Sequence, residues 1–247
     1  MTGRIESTFQ RLRQANKKAL IAYLMAGDPS LAETERLVLE IEQAGADIIE
    51  LGVPFSDPIA DGPVIQLAAE RGLRSGTSLR KILAMMKTLR SRTQVPIVLM
   101  VYYNSIHAMG IETFCRTAGE AGVDGLIVPD MPPDEAGPLK GPAAAAGLRL
   151  IFLLAPTSTA ERRSYVAKES QGFLYYVSRE GVTGMQSQVS SSIGAMTSMI
   201  RRHTQLPIAI GFGISNPEQA RQVASHGDAV VVGSAVVNQV AEHGRSP

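Results

Sequence analysis

The chain has 247 residues, of which 45% are hydrophobic and 19% charged, and its formal net charge at pH 7 is +1. A chain of this length can bury a large core, and the balanced charge gives no basic excess that would point to nucleic acid or anionic lipid as a partner. The single cysteine, Cys115, excludes an internal disulfide and a cysteine-based metal cluster. We see no secretory signal and no apolar run of the ~18 residues that span a bilayer, so we expect a soluble, cytoplasmic protein.

Eight apolar runs in the sequence are predicted to form strands, and a helical pattern of apolar residues lies between successive runs. The runs are continuously apolar, as expected for parallel strands that are covered on both faces. They span residues 19–26, 47–53, 96–103, 124–129, 149–155, 173–178, 207–212 and 229–233. This alternation favours a parallel α/β fold, and eight units favour closure into a single (β/α)8 TIM barrel formed by one domain, residues 1–247. An open, doubly wound sheet is the alternative.

Glycine and proline mark the boundaries of these units. Gly45, Gly122 and Gly227 each stand shortly before a strand, where a glycine in the left-handed conformation would end the preceding helix. Pro96 and Pro207 stand at the first position of two other strands and stop the helices before them.

The two ends of the chain depart from the repeating unit. Ile5, Phe9 and Leu12 have helical spacing before the first strand, and we expect an extra N-terminal helix that caps the bottom of the barrel. After the last strand only Ala235 to Pro247 remain, so we expect the eighth helix to be short or missing.

Glu50 is an acidic residue inside the apolar second strand. Burial of an unpaired carboxylate is costly, so its pKa should rise and the group could exchange protons near neutral pH. Glu50 is in phase with Gly52 and can point into the barrel mouth, where active sites of this fold gather. The alternative is a structural ion pair with an interior lysine or arginine.

The loop after this strand is rich in proline and glycine and contains Asp57 and Asp61. This composition indicates a loop of defined shape. Asp57 could form a turn through its side chain, and Asp61 could cap a helix that begins at Pro63. The sequence alone does not decide between these structural roles and a functional role for either aspartate.

Glycines near the ends of strands seven and eight predict an anion site. Gly211, Phe212 and Gly213 belong to the first cluster, and Gly233 and Ser234 to the second. Backbone N–H groups in such turns, with a following helix N-terminus, bind phosphate, and barrels often place phosphate after these two strands. A tight turn between strand and helix is the alternative at either site taken alone.

The segment after strand six, residues 181–192, is small and polar with glycine pivots. It is predicted to be a mobile lid, although a surface loop without a function has the same composition. The four histidines show no metal-ligand spacing such as HxxxH, so we expect no metal site.

The run from Glu50 to Pro63, with LMAGDP at residues 24–29 before it, resembles the signature of the tryptophan synthase α-subunit family, and matching motifs continue to Ser234. The resemblance covers nearly the whole chain. It implies a carbon–carbon lyase of tryptophan biosynthesis that splits indole-3-glycerol phosphate into indole and glyceraldehyde 3-phosphate by a retro-aldol reaction. It also implies that Glu50 is the acid–base group and that Asp61 holds the indole N–H.

Further site residues are implied by the same resemblance. Tyr175 would be catalytic. The alternative is that Tyr175 is a structural aromatic residue of the barrel whose hydroxyl has a hydrogen-bond partner. Tyr23 stands where phenylalanine is common in the family and Met100 where leucine is common, and either could be ordinary core. The positions that match substrate-binding residues in the indole pocket, the lid and the phosphate site are Tyr23, Met100, Ile127, Thr183, Gly184, Phe212, Gly213, Gly233 and Ser234.

The resemblance implies a partner as well, a tryptophan synthase β subunit that receives indole within an α2β2 complex. Pyridoxal phosphate would belong to that β subunit, and no cofactor is expected in this chain. The implied interface lies in segments 54–58, 104–107 and 130–133, which follow strands two, three and four and so share one side of the rim. An alternative is that these turns only brace the barrel. The interface positions are Pro54, Asp57, Asn104, His107, Asp130 and Pro132.

Two other functions compete with this interpretation. The chain could be a different phosphate-binding barrel enzyme, an isomerase or synthase, which a substrate screen would reveal. It could also act chiefly as an activating partner with weak catalysis of its own. Indole release by the isolated chain, compared with release by the complex, separates that case from the first.

Overall fold

Residues 3–178, 186–211 and 213–243 are described in the computed structural model, with the backbone alone for residues 186–191. Nine parallel strands in this part of the chain form one hydrogen-bonded sheet. They are β1 (Ala19–Met25), β2 (Ile48–Gly52), β3 (Ile97–Met100), β4 (Gly125–Ile127), β5 (Arg149–Ile151), β6 (Leu153–Leu154), β7 (Leu174–Val177), β8 (Ile208–Gly211) and β9 (Ala229–Val232).

The sheet closes into a barrel because its two outermost strands are halves of one strand. The order of hydrogen-bonded neighbours is β5-β4-β3-β2-β1-β9-β8-β7-β6. Only Phe152 separates β5 from β6 along the chain, while β5 pairs with β4 and β6 pairs with β7. The barrel prediction is therefore confirmed, with the fifth strand divided at Phe152, and the doubly wound sheet is wrong.

Helices cover the outside of the barrel and one of its ends. Three of them begin at a residue whose side chain accepts a hydrogen bond from the backbone N–H three residues on, namely Ser30, Thr159 and Asn216. None of the described helices is both long and apolar enough to cross a membrane. The helices are α1 (Arg4–Gln14), α2 (Leu31–Gln43), α3 (Pro63–Arg74), α4 (Leu79–Leu89), α5 (Tyr103–Met109), α6 (Ile111–Glu120), α7 (Gly137–Ala145), α8 (Ala160–Glu169), α9 (Gln186–Arg201), α10 (Pro217–Ala224) and α11 (Ser234–His243).

The helix after the last strand is present. α11 has 10 residues and buries Val237 and Val240, and it packs against α3 and β1. The expectation of a short eighth helix is confirmed, and the option that this helix is missing is wrong.

The glycine boundaries are confirmed at two of the three predicted positions. Gly45 and Gly122 have φ of 109° and 80°, in the region that favours glycine, and each follows the end of a helix. Gly227 is not among the described glycines with positive φ, so its left-handed prediction is wrong. Glycine is needed there for space, because a Cβ would lie 2.7 Å from Ile210 Cδ1 and 2.9 Å from the Ile208 carbonyl oxygen.

The helix α1 closes the bottom of the barrel, as predicted. Ile5, Phe9 and Leu12 are buried and join the apolar residues that fill the barrel interior. The Phe9 ring lies 5.9 Å from the ring of Phe173. Polar contacts hold the same helix from its other face, including Arg4 to Asp124 at 3.0 Å.

Three aspartates at the amino-terminal ends of strands tie neighbouring strands together. Asp47, Asp124 and Asp228 stand directly before β2, β4 and β9. Each carboxylate accepts a hydrogen bond from a backbone N–H of the adjacent strand. The donors are Leu20 for Asp47, at 3.0 Å, Ile97 for Asp124, at 2.8 Å, and Ile208 for Asp228, at 2.9 Å. Each aspartate also forms an ion pair with arginine: Asp47 with Arg11, Asp124 with both Arg90 and Arg4, and Asp228 with Arg201. These aspartates therefore stabilise the amino-terminal end of the barrel, whereas active sites of this fold lie at the carboxyl-terminal end.

Candidate active site

The carboxyl ends of the strands bring several of the predicted residues to one mouth of the barrel. Register places Tyr23 of β1 beside Glu50 of β2. Two residues further along, Gly52 of β2 lies beside Met100 of β3, which lies beside Ile127 of β4. Side chains two residues apart on a strand point to the same face, so the inward positions of four strands meet here.

Glu50 is the most deeply placed acid of this mouth, with 2% of its surface exposed. Its Oε2 atom has no hydrogen-bond partner among the described residues, and Glu50 takes part in none of the ion pairs found there. Burial, and then the charge of Asp61, raise the pKa of Glu50 to about 8, against the lowering effect of a hydrogen bond with Tyr175. No ion pair of Glu50 is seen in the part of the chain that the structure describes, and the raised pKa keeps the carboxyl protonated at neutral pH.

Asp61 lies in the loop before α3, on the same mouth. The N-cap of α3 is Gly62, and the Asp61 side chain instead interacts with the Tyr102 hydroxyl. Helix α3 begins at Pro63 as predicted, but the capping role for Asp61 is wrong. Burial raises the pKa of Asp61 to about 6, and the hydrogen bond from Tyr102 opposes the rise. Asp61 is therefore ionised at neutral pH, where Glu50 is protonated.

Tyr102 is a site residue that the sequence analysis missed. Its hydroxyl accepts a hydrogen bond from the Ala60 backbone N–H at 3.0 Å, and the Asp61 carboxylate lies close enough to raise the pKa of Tyr102. Its ring stacks on Phe55, with centroids 5.0 Å apart. The available signal was a tyrosine directly after an apolar strand, opposite a loop that contains a functional acid. Tyr102 therefore contacts the loop between β2 and α3 at both Phe55 and Ala60.

Two glycines at strand ends make room for tyrosine rings in the mouth. A Cβ on Gly52 would lie 2.1 Å from the Tyr23 hydroxyl oxygen, and a Cβ on Gly211 would lie 2.6 Å from Tyr175 Cε1. Gly211, grouped with the anion site by sequence, thus serves Tyr175. Burial, and then the charge of Glu50, raise the pKa of Tyr175, so its hydroxyl stays neutral and hydrogen-bonds Glu50. The Tyr175 hydroxyl thus has a hydrogen-bond partner, as expected of a structural tyrosine, but that partner is the candidate acid Glu50.

The predicted phosphate glycines have open space beside them. Among the described residues, no atom lies within 4 Å of a Cβ built on Gly213, and the nearest atom to one on Gly233 is Tyr23 Cβ at 3.7 Å. Helix α11 begins at Ser234, directly after Gly233, and its first backbone N–H groups have no partners inside the helix. Several predicted residues lie outside the described part of the chain, namely Phe212 and residues 181–185 of the predicted lid, which include Thr183 and Gly184. For lid residues 186–191 only the backbone is described.

The predicted pocket residues divide between the mouth and the core beneath it. Tyr23 is 5% exposed, and it packs in a small cluster with Ala68, Ala69 and Val237. Met100 is half-buried and contacts both this cluster and the barrel interior, whereas Ile127 is fully buried in the interior.

The six predicted interface positions differ in exposure. Asp57, Asn104, His107 and Asp130 are exposed, Pro132 is half-buried, and Pro54 is buried against Gly72 of α3. The segment 104–107, expected as a loop, belongs to α5, so that expectation is wrong. The reason is a hydrogen bond from the Tyr103 backbone N–H to the Asp130 carboxylate at 2.9 Å, which satisfies the first turn of the helix.

One exposed apolar residue lies beside this group. Ile59, in the loop between Asp57 and Asp61, is 81% exposed. Among residues 3–178, 192–211 and 213–243, we find no group of three or more His, Cys, Asp or Glu side chains arranged to hold a metal ion.

Comparison with known proteins decides the family. The model of the family "Tryptophan synthase alpha chain" matches residues 9–247. The chain belongs to the tryptophan synthase alpha chain family. The resemblance inferred from the Glu50 to Pro63 segment is thereby confirmed, and the family makes the chain a lyase of tryptophan biosynthesis.

Relatives and solved structures agree over nearly full length. The tryptophan synthase alpha chain of Geotalea daltonii is 54% identical over 96% of this chain and 90% of its own, and that of Synechocystis sp. is 49% identical over 96% and 90%. Tryptophan synthase subunit alpha from Legionella pneumophila superposes with a TM-score of 0.90 at 38% identity, over 98% of this chain and 90% of that one. A chain from the tryptophan synthase a2b2 complex of Pyrococcus furiosus gives 0.86 at 38% identity, over 92% of both chains.

Proposed function

We propose that this chain cleaves indole-3-glycerol phosphate into indole and glyceraldehyde 3-phosphate by a retro-aldol reaction. The observation that carries the proposal is a pair of carboxyl groups in one mouth with opposite protonation at neutral pH. Glu50 has a pKa of about 8 and Asp61 one of about 6. Pairs of acids whose environments separate their pKa values are the usual basis for dividing acid and base roles.

Glu50 supplies the proton in this mechanism. Its protonated carboxyl donates to indole C3, which weakens the bond between C3 and the glycerol side chain. Asp61, ionised, stabilises the positive charge that develops on the ring nitrogen. A base then removes the proton of the glycerol hydroxyl as the carbon–carbon bond breaks, and Glu50, now ionised, is the carboxylate placed to accept it. Tyr175 holds Glu50 in position, and the proton count returns to its starting value.

The phosphate of the substrate is assigned to the space beside Gly213 and Gly233. Gly233 directly precedes α11, whose first N–H groups and helix dipole favour a dianion. Ser234, at the first position of that helix, can add a hydroxyl donor. Thr183, Gly184 and Phe212 remain assigned to substrate through the family motif, and Tyr23, Met100 and Ile127 to the ring pocket.

The partner in this proposal is a tryptophan synthase β subunit, in an α2β2 complex that uses the indole. A relative of this chain is part of a complex of that composition. The docking surface would contain Asp57 and the exposed Ile59, with α5 and the Asp130 loop on the same side of the mouth. Pyridoxal phosphate belongs to that β subunit, while the groups assigned to the cleavage are side chains of this chain. Residues 1–247 act as one catalytic domain, in the cytoplasm, where the lone cysteine fits a reducing environment.

Incubation of the purified chain with indole-3-glycerol phosphate, while indole is measured, tests the proposal. We expect indole and glyceraldehyde 3-phosphate in equal amounts, formed slowly by the chain alone and faster with the β subunit. Absence of indole in both conditions would refute the activity. Indole formed only in the complex would assign the chain an activating role.

A further inference from the structure

A pocket of about 90 Å³ lies at the amino-terminal end of the barrel, the opposite end from the catalytic mouth. Its apolar wall is formed by Phe9 and Leu12 of α1, together with Pro207 directly before β8. Asp228, directly before β9, also lines it. Helix α1 and the starts of two strands therefore meet around a small space that the proposed reaction does not use.

The rim of this pocket is positively charged. Arg13, Lys17 and Lys18 line it, and all three are exposed. Their side chains form no hydrogen bond or ion pair with any described residue, and Asp228, the one acid among the described lining residues, is already paired with Arg201. Three positive charges thus surround one small space without a counter-charge of their own in the described part of the chain.

The end of α1 does not by itself account for these charges. Basic residues near a helix end usually bond to its last carbonyl groups or balance its dipole. Here the Lys17 backbone N–H already donates to the Leu12 carbonyl at 2.8 Å. The Asn16 N–H donates to the Arg13 carbonyl at 3.1 Å, and Asn16 takes the left-handed conformation typical of such a helix end, with φ of 53°. The dipole supplies only about half a negative charge, so the three cations exceed what the helix needs.

We propose that this pocket binds a small organic carboxylate. The carboxylate meets the rim, where the planar guanidinium of Arg13 can hold it with two parallel hydrogen bonds while the two lysines add charge. The apolar stem lies against the wall formed by Phe9, Leu12 and Pro207. The volume equals that of about three water molecules of ~30 Å³ each, so the stem is limited to a few carbon atoms.

The position of the pocket favours carboxylate over phosphate. It lies at the carboxyl end of α1, whereas helices bind phosphate at their amino ends, where free N–H groups and the positive end of the dipole are found. Because the ligand touches α1 and the segments before β8 and β9, its binding stabilises the contact of this helix with the barrel. The inference does not depend on the proposed function.

Titration of the isotope-labelled chain with butyrate at constant ionic strength, followed by the NMR shifts of backbone amides, tests the proposal. We expect saturable shifts for residues 9–18, and none with n-butanol, which has a similar stem without the charge. Arg13→Gln and Lys17→Gln should each weaken binding by about tenfold, the effect of one charge-assisted hydrogen bond. Arg80→Gln removes an exposed positive charge at the start of α4, and this matched control should bind butyrate like the unmodified chain.

Several outcomes would overturn the inference. Shifts that never saturate, or equal affinity in both rim variants and the control, would show only non-specific ion pairing. Tighter binding of inorganic phosphate than of butyrate would refute the ligand class. Loss of butyrate binding in Gly213→Val, which fills the space assigned to the substrate phosphate, would place butyrate in the catalytic mouth. Thermal melts establish that each variant is folded, and failure of the proposed function is seen separately, as the absence of indole.

Discussion

Replacing Glu50 with glutamine should make the protein more stable and nearly inactive at the same time. The carboxyl is 2% exposed, and its Oε2 has no partner among the described residues. Glutamine has nearly the same shape but cannot ionise. The substitution therefore removes both the proton that the reaction needs and the cost of burying a charge.

The size of the stability effect follows from the pKa of Glu50, which is raised from 4.5 to about 8 by folding. Between these values the unfolded chain has released the proton while the folded chain still holds it, so the free energy of unfolding falls as pH rises. At about 1.4 kcal/mol per pKa unit, the loss is about 3 kcal/mol at pH 7 and about 5 kcal/mol above pH 8. Below pH 4.5 both states are protonated and the stabilising contribution is fully present.

Urea unfolding of the unmodified chain and of Glu50→Gln, at pH values below 5, near 7 and above 8, measures this difference. We expect similar stability at the lowest pH and an advantage of the variant that grows with pH. Glu112→Gln, an exposed position on α6, is the control and should show no such trend. In parallel, indole formation should fall by at least ~10²-fold in Glu50→Gln, the usual contribution of a general acid.

Two results would refute this reasoning. A stability difference that does not change with pH would mean that the Glu50 carboxyl titrates normally in the folded protein. Near-normal turnover by the variant would mean that another group delivers the proton to the ring.

The remaining predictions concern pH, phosphate and the partner. The kcat/KM profile should be bell-shaped, falling below about pH 6 as Asp61 is protonated and above about pH 8 as Glu50 ionises; a flat profile across this range would contradict the assignment, and Asp61→Asn should cause a severe loss of rate. Gly213→Val and Gly233→Val, which enter open space, should fold normally but raise KM for the phosphorylated substrate; unchanged affinity for a glycerol phosphate analogue, measured by calorimetry, would remove the site. Asp57→Ala should weaken activation by the β subunit more than unassisted cleavage, because Asp57 is exposed at the rim; equal losses in indole formation with and without saturating partner would assign Asp57 to folding or chemistry.

Much of the architecture was predictable because it depends on local patterns. Continuous apolar runs identified every strand of the barrel, and the spacing of Ile5, Phe9 and Leu12 identified the cap. The interruption at Phe152 and the helix over residues 103–109 were not predictable. The helix depends on the Asp130 carboxylate at its first turn, which comes from a different loop 27 residues away.

The candidate site was predictable where a residue was chemically out of place. Glu50 stood out because a carboxylate in an apolar strand needs a reason. Tyr102 did not, since a tyrosine at a strand end is common, and its contact with Asp61 exists only after two loops meet across the mouth. The need for glycine at position 211 was not predictable for the same reason, because the ring that takes up its space comes from a different strand.

The aspartates before β2, β4 and β9 show a related limit. The recurring pattern was visible in the sequence as a helix end followed by a strand. That each aspartate accepts an N–H from the neighbouring strand requires knowledge of which strands are adjacent.

The helix α1 leaves the ribosome before any strand of the barrel, yet the groups it packs against are made much later. Arg4 pairs with a residue 120 positions away, and Glu6 pairs with Arg149, 143 positions away. The Phe9 ring meets Phe173, which lies just before β7. These contacts are therefore absent during most of synthesis, the period in which exposed apolar surface favours aggregation and chaperone binding. Helix α1 reaches its full set of contacts only after the chain has been made as far as β7.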